Sequence, residues 1–319
     1  MSFDSMCHQI FGGSGKCKHF PLITLGQNDQ GSLIKAQIGI FFSRIPRKNT
    51  ADNTAAFDRV LPETSGNMHQ GRPQACPNVQ LLLSHTAGTS ISGFRGYRYG
   101  EGVPTLLQLL DGVSPANSGP IVVDGTPGDG FRYSGGGYEI MEQAIFDVTG
   151  VRWPELMQER ILEPMDMRSS TYTHPLPDAL APRAASGYYA SGRAVPGGHH
   201  IYPEAAAAAL WTTPSDVARF LIEVQNALRD GGSGTLTRAS AETLLTEVDR
   251  AYGLGFNLLS LPGYAYFGHR GANDGFRGGM IAHTTSGDGL VLLTNSDRGS
   301  DLWPDALEVI AEREGWPGF

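Results

Sequence analysis

Ser32 and Lys35 stand three residues apart in the stretch DQGSLIKAQIGIFF, residues 29 to 42, at the head of an apolar run with helix-like spacing. A serine hydroxyl is a weak nucleophile until a base takes its proton. On a helix, a lysine one turn along faces the same side as the serine, so Lys35 would hold the Ser32 hydroxyl and serve as that base. The chemistry would be acyl transfer without a histidine. The same two residues also suit an ordinary helix start with a solvated lysine, and only the rest of the chain separates these readings.

Other chemistries find less support. FGGSGKCK resembles a phosphate loop, but Ile10 holds the place of its first glycine and Cys17 stands where Ser or Thr would bind magnesium. No Gly-x-Ser-x-Gly elbow occurs, which argues against the α/β-hydrolase route to a serine nucleophile. His199, His200 and Glu204 in HHIYPE lack the helical spacing of a zinc protease. Cys7, His8, Cys17 and His19 fit no common ligand spacing, so neither a metal nor another cofactor is expected.

Composition narrows the partners. Asp and Glu outnumber Lys and Arg by 32 to 24, a formal charge of -8, and no basic block interleaves with aromatics, so nucleic acid is not expected. Three cysteines without a Cys-x-x-Cys pair make no disulfide framework and suit a reduced compartment. No run approaches the roughly 20 apolar residues of a membrane span, and the first twenty residues do not read as a secretory signal. The expectation is a cytoplasmic protein with a small-molecule substrate and no membrane partner; oligomeric state is not legible.

Four helices and a meander must position the chemistry. NVQLLLSHTAG runs from a capping Asn78 to Gly88, and GYEIMEQAIFDVTG puts Ile140, Met141, Ala144, Ile145 and Val148 on one face before Gly150. In TTPSDVARFLIEVQNALRDGG, Thr213 caps, Pro214 takes the first position, Asp216 completes a capping-box-like pattern and Gly231 ends the helix. After about residue 250, short β-favouring runs separated by ANDG and SGDG predict antiparallel hairpins. A closing helix, capped by Ser300 or Asp301, would pack Leu302, Ala306, Leu307 and Ile310 on that sheet.

Four segments in order, LLLSHTAGTS (81–90), FRYSGGGY (131–138), ALWTTPSDVARF (209–220) and HRGANDGFRGG (269–279), resemble the class C β-lactamase and penicillin-binding-protein superfamily of serine hydrolases, including its carboxylesterases and D-aminopeptidases. ILEPMDM resembles that family's PLGM turn. The family pattern is Ser-x-x-Lys, then Tyr-x-Asn, then Lys-, His- or Trp-x-Gly. Here the second element is Tyr133-Ser134-Gly135 and the third His269-Arg270-Gly271; VLPETSG resembles the segment after the nucleophile helix, and Ser32 lies thirty residues before its Pro62. The resemblance therefore implies Ser32 as nucleophile, Lys35 as its base and Tyr133 as a proton relay whose phenolate the lysine favours. It further implies an oxyanion hole made by the backbone N–H groups of Ser32 and Ala272, space for the acyl group at Gly271, and a wall formed by His269 and Gly135.

The resemblance implies an α+β fold: an antiparallel β-sheet flanked by helices, with an inserted mainly helical domain. Residues 1–45 and 245–319 would form the sheet domain and 46–244 the helical one. Two departures bear on substrate. Gly135 replaces an asparagine that would bind a substrate amide, and no lysine in the third motif pairs with a substrate carboxylate. Ester substrates need neither group, so a carboxylesterase for short acyl esters is expected, with D-aminopeptidase or β-lactamase activity, or a non-catalytic penicillin-binding-like protein, as alternatives. A third departure is the loss of family pattern in residues 1 to about 58, where Pro46 stops the helix by Ile45; an altered gene start would account for it.

Overall fold

The computed structural model describes residues 77–231, 235–261 and 263–319, together with the backbone of Ile34–Lys35. Ser32 lies outside the described residues. The fold is α+β, as expected. Ile34–Lys35 form a two-residue strand, β1, antiparallel to Trp211–Thr212, β2. The helical run expected from Ser32 is therefore not formed at Lys35, because extended backbone turns residues i and i+3 to opposite faces.

The main sheet is an antiparallel meander, β3 (Asn257–Leu261), β4 (Tyr264–Asn273), β5 (Phe276–His283) and β6 (Gly289–Thr294), in that spatial order; the turn signals call for its last three strands, and β3 is added to them. Both faces are covered. Phe267, Met280, Ala282, Val291 and Leu293 join the large core, in which Val217, Phe220, Leu221 and Val224 of the helix Pro214–Asp230 also lie. The alternate residues Tyr266, Ile281, Leu290 and Leu292 pack instead with Trp303, Ile310 and Ala311 of the closing helix Trp303–Glu314. Burial on two faces explains why GLVLLT reads as a continuous apolar run rather than an alternating one.

Local chemistry sets the helix ends. Asn78 accepts the Leu81 N–H and starts α1 (Val79–Leu83), which stops five residues short of Gly88. There the Ser84 hydroxyl donates back to the Gln80 carbonyl, and His85 takes φ +57°. Ser134 caps α2 (Gly135–Thr149), and Gly150 ends it in the left-handed region. Thr213 caps the helix Pro214–Asp230, but the reciprocal half of the expected capping box is not made. Asp216 instead accepts the Ser169 N–H and the Ser170 hydroxyl and pairs with Arg219. The closing helix begins at Trp303, after a 3-10 turn (Asp297–Leu302) that takes up Ser300 and Asp301, and Leu302 is exposed.

Helix α2 also carries the buried neighbours Glu139 and Glu142, which accept the N–H groups of Ala207 and Ala206 at 3.0 and 2.8 Å. With buried Glu204 beside them, burial raises both: Glu142 to about 8, Glu139 well above the carboxylate range. A carboxyl raised on folding binds its proton more tightly in the native state, so its stabilisation is full below pH 4.5 and declines as pH rises toward about 8. Glu142→Gln, which mimics the protonated acid, should therefore gain Tm relative to wild type, by a margin of several degrees that widens from pH 5 to pH 8. Melting curves across that range check this; a margin independent of pH would contradict it.

Candidate active site

Tyr133 is held by loops rather than by a helix or strand. The Phe131 N–H donates to Asp249 Oδ2 at 2.7 Å. The Ser134 hydroxyl donates to the Ser90 carbonyl at 2.6 Å and also accepts the Gly137 N–H. The Gly135 and Gly136 N–H groups donate to the carbonyls of Ser92 and Ile91. The first turn of α2 is thus sewn to the loop 90–92, and its N–H groups are spent on structure. Glycine is required there: a Cβ at Gly136 would lie 2.7 Å from the Ser90 carbonyl oxygen.

Two imidazoles lie near the Tyr133 ring. His85 lies 4.2 Å away, centroid to centroid, and His269 lies 6.3 Å away, nearly parallel. Burial pushes the Tyr133 phenol up to about 12, with no described cation offsetting it. The group is therefore a neutral phenol, a proton donor, at any ordinary pH; the phenolate expected beside a lysine is not favoured by its described surroundings. Burial, reinforced by His269, pushes His85 down to about 3, so this imidazole is neutral.

Facing Tyr133 is the motif strand β4. Asn273 and Phe276 flank the two-residue turn Asp274–Gly275. A pair closing such a hairpin exchanges hydrogen bonds, and the alternation of antiparallel strands then turns the N–H and C=O of Ala272 and Arg270 away from β5. β3 stops opposite Gly268 and does not cover this part of β4. An open cavity of about 260 Å³ lies here, lined by Tyr133, Gly271 and Ala272 together with Arg270, Arg277, Ser300 and Trp303. The structure thus brings three of the residues expected at the site to one cavity.

The others are placed differently. His269 is buried on the large-core face of β4, and Gly135 is buried under Phe94, whose ring would lie 3.2 Å from an added Cβ; neither lines the cavity. Lys35 is in β1, opposite Trp211, and Ser32 lies outside the described residues.

Two features were not legible in the motifs. The Arg270 guanidinium lies 4.9 Å from the centre of the Trp303 ring and has no carboxylate partner among the described residues. Arg277, by contrast, is committed: it pairs with Asp297 at 2.9 Å and donates to the Asn273 and Phe276 carbonyls. Asp249, which ties down Phe131 from 118 residues away, gave no sequence signal. Among the described residues there is no cluster able to hold a metal, and no helix long and apolar enough to cross a membrane.

The family model described as Beta-lactamase matches residues 58–314. The D-aminopeptidase of Cereibacter sphaeroides is 24% identical over 299 residues, covering 85% of this chain and 53% of that protein. Penicillin-binding protein 4 of Amycolatopsis lactamdurans is 25% identical over 255 residues, covering 74% of this chain and 64% of that protein. The chain thus spans about half to two thirds of the length of these relatives. Among solved structures, the D-amino acid amidase from Ochrobactrum anthropi SV3 superposes with a TM-score of 0.58 at 21% identity, covering 74% of this chain and 72% of the other. The octameric penicillin-binding protein homologue from Pyrococcus abyssi gives 0.56 at 22%, covering 73% and 55%. These two likenesses concern the fold.

Proposed function

Because the chain belongs to the Beta-lactamase family, we propose that it is a serine hydrolase working through an acyl-enzyme, with short acyl esters as its preferred substrates. Ser32 is the nucleophile and Lys35 its base. Tyr133 passes the proton, the N–H groups of Ser32 and Ala272 hold the developing oxyanion, and Gly271 leaves room for the acyl group. The observation that supports this reading is that Tyr133, Gly271 and Ala272 line one cavity. The reading carries a structural requirement: residues 32–35 must form a helical turn when the site is assembled, whereas Lys35 is extended in β1. A reduced, cytoplasmic setting is part of the same proposal.

Two rival readings each have an observation behind them. The extended Lys35 favours a non-catalytic protein that binds acyl ligands. The guanidinium of Arg270, which has no carboxylate partner among the described residues, together with a relative named D-aminopeptidase, favours amide substrates. Kinetics on three substrates separate them. The ester reading expects kcat/KM on a p-nitrophenyl short-chain ester to exceed that on a chromogenic cephalosporin or a D-amino acid amide by about a hundredfold or more. Amide-like donors need firmer positioning, and this chain lacks the asparagine and lysine that would provide it. Comparable efficiencies would move the assignment to amides, with Arg270→Ala then raising KM. No turnover of any of the three would favour the binding reading.

A further inference from the structure

His85 meets Tyr133 in three ways, only one of which is ring packing. The Arg132 N–H, one residue before Tyr133, donates to the His85 carbonyl at 2.7 Å. The Ser134 N–H, one residue after, donates to His85 Nδ1 at 3.1 Å. The backbone on both sides of the tyrosine is therefore tied to a single residue, whose ring also lies against the phenol ring. We infer that His85 is a positioning residue that clamps Tyr133, fixing where its phenol oxygen meets the nucleophile, and that the clamp works through the Nδ1 acceptor rather than through the ring. This rests on the proposed hydrolase reading.

The chemistry of the clamp is specific. Nδ1 can accept the Ser134 N–H only if it carries no proton, so the imidazole must be the Nε2–H tautomer and must stay neutral. Its surroundings enforce this: the residue is 2% exposed and enclosed by the rings of Phe131, Tyr133, Tyr138 and Tyr252. Nε2, which carries the proton, has no hydrogen-bond partner among the described residues. A buried histidine that must stay neutral to accept at Nδ1 serves as a fixed acceptor. The left-handed backbone at His85 completes the device, because φ +57° is what lets its carbonyl and its ring nitrogen both turn toward the 132–134 segment.

Two variants divide the clamp from simple packing. In His85→Asn, Oδ1 stands where Nδ1 was and asparagine tolerates the left-handed region, but the ring is lost. In His85→Phe the ring remains and the acceptor is lost. If the clamp works through Nδ1, His85→Asn keeps about a tenth or more of wild-type kcat on the ester. His85→Phe loses about a hundredfold in kcat with little change in KM, the scale expected when a reacting group is misplaced by about 1 Å. The reverse order, with Phe active and Asn not, would overturn the inference. If His85→Phe does not fold, His85→Asn alone decides, and a hundredfold loss of kcat there also overturns it. Amide hydrogen exchange supplies a readout independent of turnover: the Ser134 N–H should be protected in wild type and His85→Asn but exchange freely in His85→Phe, with Arg132 protected in all three. If wild type hydrolyses nothing while this exchange pattern holds, the hydrolase reading falls and the clamp stands as a structural fact; if Ser134 exchange is equal in the two variants, the clamp itself is wrong.

Discussion

Tyr133→Phe should lower kcat on a short-chain ester by about two to four decades, the usual scale of a lost general acid or base. His269→Ala should cost far less in kcat. The phenol is the only polar group of the Tyr133 side chain, and removing one oxygen keeps the ring packed near His85 and His269. Tyr133 lines the cavity with Gly271 and Ala272, whereas His269 is buried on the core face of β4 and does not. Since burial pushes the phenol up to about 12, Tyr133 keeps its proton throughout the working range. The rate should therefore show no alkaline limb from this residue below about pH 10. Steady-state kinetics of both variants decide the matter: a larger kcat loss in His269→Ala would replace the Ser-Lys-Tyr arrangement with a histidine-based one.

Ser32→Ala should reduce ester hydrolysis to background, a loss on the order of a millionfold in kcat where a single nucleophile carries the reaction. The argument is one of order and spacing, since Ser32 lies thirty residues before Pro62, as the family pattern requires, and no Gly-x-Ser-x-Gly elbow offers a substitute. Lys35→Ala should fall nearly as far, because without a base the hydroxyl keeps its proton. Circular dichroism should show both variants folded as wild type. Undiminished turnover in Ser32→Ala would place the nucleophile elsewhere and leave Ile34–Lys35 as the strand partner of Trp211–Thr212.

What the sequence disclosed follows the range of its signals. The β4–β6 hairpins were legible because ANDG and SGDG are local turn chemistry, and the caps at Asn78 and Thr213 act over three residues, whereas β3 (Asn257–Leu261) and the Ser134 cap carried no signal that was read. The capping box at Asp216 misled, since a distant pair, Ser169 and Ser170, competed for the same carboxylate. Motif order located Tyr133, Gly271 and Ala272 at one cavity, but motif membership does not tell which face of a strand a residue takes. His269 and Arg270 are neighbours on β4 and face opposite sides. The Arg270–Trp303 contact depends on Gly279, where a Cβ would lie 2.3 Å from the indole, and nothing local in GFRGGM marks that glycine as a seat for a tryptophan 24 residues on.

The most direct measurement is covalent labelling of the wild-type chain by a fluorophosphonate probe, read by intact mass and peptide mapping. An acyl-enzyme hydrolase with an activated Ser32 predicts one adduct per chain, carried by the peptide that contains Ser32, absent in Ser32→Ala and slowed in Lys35→Ala and Tyr133→Phe. No adduct, or an adduct on a different serine, would contradict it.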